Sequence, residues 1–170
     1  MNVLYWELGE RIRGAIPDLD RVIQRALAAW ARARQMPDES AYLDSVALNL
    51  HGFYAGLERL FELIARHVDG VLPGGETWHR DLLRRMAQDI AGVRPAVLSQ
   101  DSVLALDEFR RFRHLVRNVY TMSLAPEKMA GLMATLPTLW LTLRAELWAF
   151  ADFLEVLGED DRGLDGLDSS

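Results

Sequence analysis

The chain has 170 residues, half of them apolar and 26% charged, with a formal net charge of −6; that is apolar material enough for one filled core, so a single globular domain is predicted and disorder of the bulk is excluded. Cysteine is absent, which excludes disulfides, thiolate catalysis and Cys-based zinc sites and fits a cytosolic address. Residues 158–170 hold five acids, Glu159, Asp160, Asp161, Asp165 and Asp168, against the single base Arg162, so most of the negative charge lies in a tail and an anionic partner is not excluded for the rest.

Taken in chain order, Met1 to Glu10 lack a basic head followed by an apolar run, and no uninterrupted apolar stretch approaches the ~18 residues of a spanning helix. A cytoplasmic protein with no membrane partner is expected. Residues 2–35 carry two helical stripes, Val3, Leu4, Leu8 and Ile12, then Leu19, Val22, Ile23, Leu27 and Trp30. Pro17 stands between them and either starts a new helix or kinks a continuous one. Asp18 and Asp20 just after it favour the break.

Met36-Pro-Asp-Glu-Ser40 reads as a connector whose Ser or Asp caps the next helix. There Leu43, Val46, Ala47, Leu50, Phe53, Tyr54, Leu57, Leu60, Phe61, Ile64 and Val68 recur at three-four spacing, which predicts the central core helix. Gly52 and Gly56 within it permit a close helix approach. Gly70 to Gly75 ends the run, and a short helix from Trp78 to about Ile90 follows, closed by Gly92 and Pro95. Leu98-Ser-Gln-Asp-Ser102 then offers a cap for a helix over roughly 102–122. Pro126 opens the last helix, Pro137 is expected to kink it, and Gly158 to end it. No run alternates with period two. The chain reads as an all-α, antiparallel bundle of about five helices with kinked first and last members over residues 1–157, and 158–170 as a disordered acidic tail.

The stretch Phe109 to Tyr120 differs from the remainder. At about 100° per residue, Phe109, Phe112, Leu115, Val116 and Val119 fall on one side, and Arg113, His114, Arg117, Asn118 and Tyr120 on the other. Arg110, Arg111, Arg113 and Arg117 form one cationic cluster, and Arg80, Arg84 and Arg85 a second. Taken by itself the first is a solvated arginine face. Other constellations carry less: the histidines are scattered without a Glu-x-x-His repeat, so no metal is expected; Gly70 to Gly75 lacks the Lys and Ser/Thr of a phosphate loop; Glu58 with Glu62 suits a solvated or Arg-paired face. His51 reads as a hydrogen-bonded core histidine, and His79 as a helix cap or packing group.

Arg113-His114, three residues, Asn118, one residue and Tyr120 resembles the signature of the HEPN superfamily, above all of its HepT-like toxins. In that signature an Arg followed by a polar residue precedes a His five positions after the Arg, and a Tyr lies two further on. Ala47 to Arg59, Trp78-His79 leading into Leu82-Leu83, and Leu124 to Lys128 extend the similarity over roughly residues 40 to 155. The resemblance implies a metal-independent endoribonuclease toxin without a cofactor, acting as a homodimer whose paired motif helices line one cleft that takes RNA. It implies catalytic roles for Arg113, Asn118 and His114, phosphate binding by Arg110 and Arg117, and a MntA-type nucleotidyltransferase antitoxin that adds AMP to Tyr120. Asn118 stands where the signature has His, and a carboxamide does not titrate near neutral pH. A non-catalytic HEPN-type protein that binds RNA or a partner through the same groove is therefore the alternative.

Overall fold

The computed structural model describes residues 3–119 and 126–165, and side chains over 3–116 and 126–160. Five α-helices follow one another: α1 (Val3–Gln35), α2 (Ser40–Ile64), α3 (Trp78–Arg85), α4 (Gln100–Val119) and α5 (Pro126–Asp165). Extended pairing among the described residues is limited to one isolated bridge, Ile90 with Arg94. None of these helices is long and apolar enough to cross a membrane.

The spacing of apolar residues dictates how α1 lies. Leu8, Ile12, Ile16, Leu19, Ile23, Ala26 and Ala29 recur every three or four residues and are buried against α2 and α5. Pro17 falls on the opposite, exposed face, and α1 runs through it unbroken. The expected break is not made, because a proline there costs about 3 kcal/mol whereas two halves of one continuous buried stripe are at stake. Asp18 and Asp20, which suggested a new start, have other partners: Asp18 pairs with Arg21, and Asp20 Oδ1 accepts from Trp140 Nε1 at 3.0 Å. Gly9 of α1 meets Ala151 of α5, and Asp20, further along α1, meets Trp140, earlier in α5, so these helices are antiparallel.

Helix α2 is central, touching α1, α3 and α4. Its N-cap is Glu39, which makes no side-chain capping bond, so the expected Ser or Asp cap is not formed. Of the two glycines, a Cβ on Gly56 would lie 2.9 Å from Leu19 Cδ2, whereas Gly52 faces open space. The close approach of α1 therefore rests on Gly56. Phe53 meets Phe109 of α4 and Trp140 of α5 edge-on, with centroids 5.7 and 6.1 Å apart, and so joins three helices at one ring.

Past Ile64 the helix widens into a π-turn over Ala65–Asp69, ended by Gly70 at φ 71°, where a left-handed backbone favours glycine. The turn delivers Asp69, its side chain wholly buried, to Arg94, also wholly buried. Arg94 Nε and Nη2 donate to the two carboxylate oxygens at 2.6 and 2.9 Å, and Arg85 Nε adds a third bond at 2.6 Å. Arg94 further donates to the carbonyls of Arg85, Gln88 and Pro95. Helix α3 stops at Arg85 rather than near Ile90: the carbonyls of Leu83, Arg84 and Arg85 accept from the amides of Met86, Ala87 and Gln88 in a tighter turn, and Arg94 adds a bond to that of Arg85.

Ser99 caps α4, its Oγ accepting from the Ser102 amide at 3.2 Å, as the sequence suggested. Glu146 Oε1 on α5 accepts from both the Ser99 amide and Ser102 Oγ at 3.1 Å. The last helix passes through Pro137 and through Gly158 to Asp165. Gly158 is buried within it, so packing overrides the propensity that marked it as an end. Residues 166–170 lie outside the described residues.

Candidate functional site

The rotation of α4 about its axis is set by its apolar arc. Phe109, Phe112 and Val116 are buried in the core, which turns Arg110, Arg113 and His114 toward α2 and α3, where with His79 they line a small cleft. Within it, Arg113 Nη1 donates to Glu58 Oε1 at 2.8 Å, and Glu58 Oε2 lies 2.7 Å from His79 Nδ1. Arg113 Nη1 and His79 Nδ1 are themselves 3.5 Å apart. One carboxylate thus bridges a guanidinium and an imidazole.

Burial makes that bridge consequential. Glu58 is only 3% exposed, so its charge is shielded from water and needs both partners. Arg113 and His79 keep 18% and 27% of their side chains accessible and stand between the buried carboxylate and the surface. His79 also stacks on Trp78, with ring centroids 3.6 Å apart, which fixes its ring plane from the other side. One turn before Glu58, the buried Tyr54 phenol is pushed well above its ordinary range, first by desolvation and then by the Glu58 charge. It stays protonated. Neither Tyr54 Oη nor Arg113 Nε has a hydrogen-bond partner among the described residues.

The rest of the arginine cluster is partly neutralised within α4. Asp107 accepts from Arg110 Nε at 2.7 Å and pairs with Arg111 Nε at 2.9 Å. Burial alone would raise the Asp107 carboxyl, but these two cations outweigh it and hold it below the usual carboxylate range. Arg110 is therefore held beside the cleft by a carboxylate, while Arg111 points to solvent. In the second cluster Arg85 is engaged by Asp69, Arg80 lies 3.6 Å from Asp81, and Arg84 is exposed.

Of the residues singled out in the sequence, Arg110, Arg113 and His114 come together. The backbone of Arg117 and Asn118 belongs to the last turn of α4, but their side chains, and all of Tyr120, lie outside the described residues. Glu58 and His79 are cleft residues to which sequence reasoning assigns no site role. A signal for Glu58 existed, since Tyr54, Glu58 and Phe61 follow the three-four spacing of the core stripe, and a carboxylate at a core position requires a partner. No short-range pattern encodes the long-range pairing of α3 with α4 that brings His79 to it.

Chemically the cleft offers cations for a phosphate and two imidazoles beside them. Among the described residues no three His, Asp or Glu side chains gather as a metal-holding group. The family model described as HepT-like protein matches residues 45–154, well over half of the chain. No curated protein and no solved structure matches.

Proposed function

This chain belongs to the HepT-like protein family, and from that premise we propose that it is the toxin of a two-gene toxin–antitoxin module, a cytoplasmic, metal-independent endoribonuclease that acts as a homodimer. The observation that carries the reading is the cleft in which Arg113, held on the buried Glu58, stands beside Arg110, His79 and His114. Metal-free cleavage of RNA requires a base for the 2′-hydroxyl proton, an acid for the departing oxygen and positive charge for the phosphate. Arg113 supplies charge, Arg110 and Arg117 add phosphate contacts, and His114 supplies an imidazole one turn before Asn118. Asn118 hydrogen-bonds the phosphate without titrating, so cleavage is weakened rather than designed out; general acid–base help is worth about 10²–10⁴ in rate. The dimer is the assembly that places two copies of this cleft together, and Leu104 on α4 and Leu141 on α5 are exposed apolar side chains available to a second copy.

Purified protein is expected to cleave RNA in excess EDTA and to elute with the mass of a dimer in light scattering on a sizing column. A second reading, a non-catalytic RNA- or partner-binding protein using the same groove, is favoured by Asn118 itself. Intact RNA together with salt-dependent binding would select it, and a monomer at micromolar concentration would remove the shared cleft.

The partner of such a module is a MntA-type nucleotidyltransferase, and Tyr120 is the acceptor of its AMP. Co-expression should add one adenylyl group to the peptide holding Tyr120, and Tyr120→Phe should abolish the addition and the neutralisation together. Neutralisation with Tyr120 unmodified in peptide mass spectrometry would mean inhibition by binding alone.

A further inference from the structure

We infer that His79, on α3 and outside the motif helix, is the general base of the cleft, and that Glu58 is the residue that positions it. The inference rests on the endoribonuclease reading above and assigns a group to it. When the imidazole is neutral, Nδ1–H donating to Glu58 Oε2 at 2.7 Å fixes the tautomer and leaves Nε2 as the acceptor. The same carboxylate accepts from Arg113 Nη1, so base and phosphate-binding cation are set relative to each other by one buried group. Stacking on Trp78 restrains the ring further. An orienting acid, an imidazole and a neighbouring cation make the arrangement that proton abstraction beside a phosphate needs.

The step balances without any added reactant. His79 Nε2 takes the proton of the ribose 2′-hydroxyl, the 2′-oxygen forms a bond to phosphorus, and the bond from phosphorus to the 5′-oxygen breaks. The departing 5′-oxygen takes a proton from His114 or from water, leaving a 2′,3′-cyclic phosphate and a 5′-hydroxyl. Arg113 stays paired with Glu58 throughout and donates from its remaining nitrogens to the phosphate. The charged and titratable groups that face His79 are Glu58 on α2, and Arg110, Arg113 and His114 on α4.

The decisive variant is His79→Asn, whose amide can still donate to Glu58 while offering no titrating nitrogen. Single-turnover cleavage of a labelled RNA oligonucleotide, from pH 5 to 8, should fall by 100-fold or more and lose the limb in which activity rises with pH. RNA affinity by fluorescence anisotropy should stay within about twofold of wild type, and far-UV circular dichroism should be unchanged. In His79→Ala, added imidazole should restore part of the rate. Glu58→Gln should displace the pH limb rather than erase it. If wild type cleaves and His79→Asn cleaves within threefold of it, the base lies elsewhere and the nuclease reading stands without this assignment. Loss of RNA binding in His79→Asn would make His79 a binding contact and overturn it as well. Wild type that leaves RNA intact would sink the nuclease reading, and this inference with it.

Discussion

Asp69→Ala is expected to lower the unfolding free energy by about 3–5 kcal/mol, the usual cost of removing one partner from a buried ion pair. The reason is local. Arg94 is wholly buried and gives two of its bonds to Asp69, and without the carboxylate its charge has no counterpart and no route to water. For a chain of this length the loss corresponds to roughly 6–20 °C in the melting midpoint, read by circular dichroism at fixed protein concentration. Asp69→Leu combined with Arg94→Met should be less damaging than either substitution alone, because two matched apolar groups leave no charge behind. Arg85 is partly exposed and can turn to solvent. A single-variant cost below about 1 kcal/mol in urea titration would show that the network contributes little and that the loop after α3 is held by its apolar anchors, Met86, Val97 and Leu98.

The second large effect is expected at position 118. Asn118→His returns a group that titrates near neutral pH to the motif helix, and RNA cleavage should rise by about an order of magnitude or more. Arg113→Ala should abolish both the original and the raised activity, since it removes the cation beside the phosphate and leaves Glu58 with one partner. In a purely binding protein the histidine would leave RNA intact, and Arg113→Ala or Arg117→Ala would weaken affinity and flatten its salt dependence by about one counterion each. Should wild type cleave efficiently and His114→Ala stop it, Asn118 is no deficit and His114 is the working base. That last result would also count against His79.

How much of this could be read in advance depended on whether the determinant was local. The stripes of α2 and α4 are periodic over many turns, so the core residues from Val46 to Ile64, and Phe109, Phe112 and Val116, were legible from spacing alone. The facing of Arg113 and His114 followed from the same arithmetic. Pro17 and Gly158 misled because propensity is a weak prior when both flanks of a residue are packed: a stripe continuing across Pro17, and the burial of Gly158 itself, decided the outcome. Gly52 and Gly56 looked equivalent in sequence and differ only in which of them meets Leu19. Glu58 stood in the core register yet was read as a surface or Arg-paired group, half of which holds, because its guanidinium partner lies 55 residues away. His79 was the hardest to see. Its significance exists only once α3 is laid against α2 and α4, and no short-range pattern encodes that placement.

The clasp of Glu146 on Ser99 and Ser102 bears on accuracy at a distance. Helix α4 behaves as a rod pinned at its first turn, with the working guanidinium of Arg113 fourteen residues further on, a lever arm of about 21 Å at the rise of an α-helix. A tilt of about 1° at the pin moves the far end by about 0.4 Å, close to the ~0.5 Å within which a catalytic constellation must be held. Two hydrogen bonds to one carboxylate on α5 therefore join the buried arc of α4 in setting the aim of a side chain they never approach.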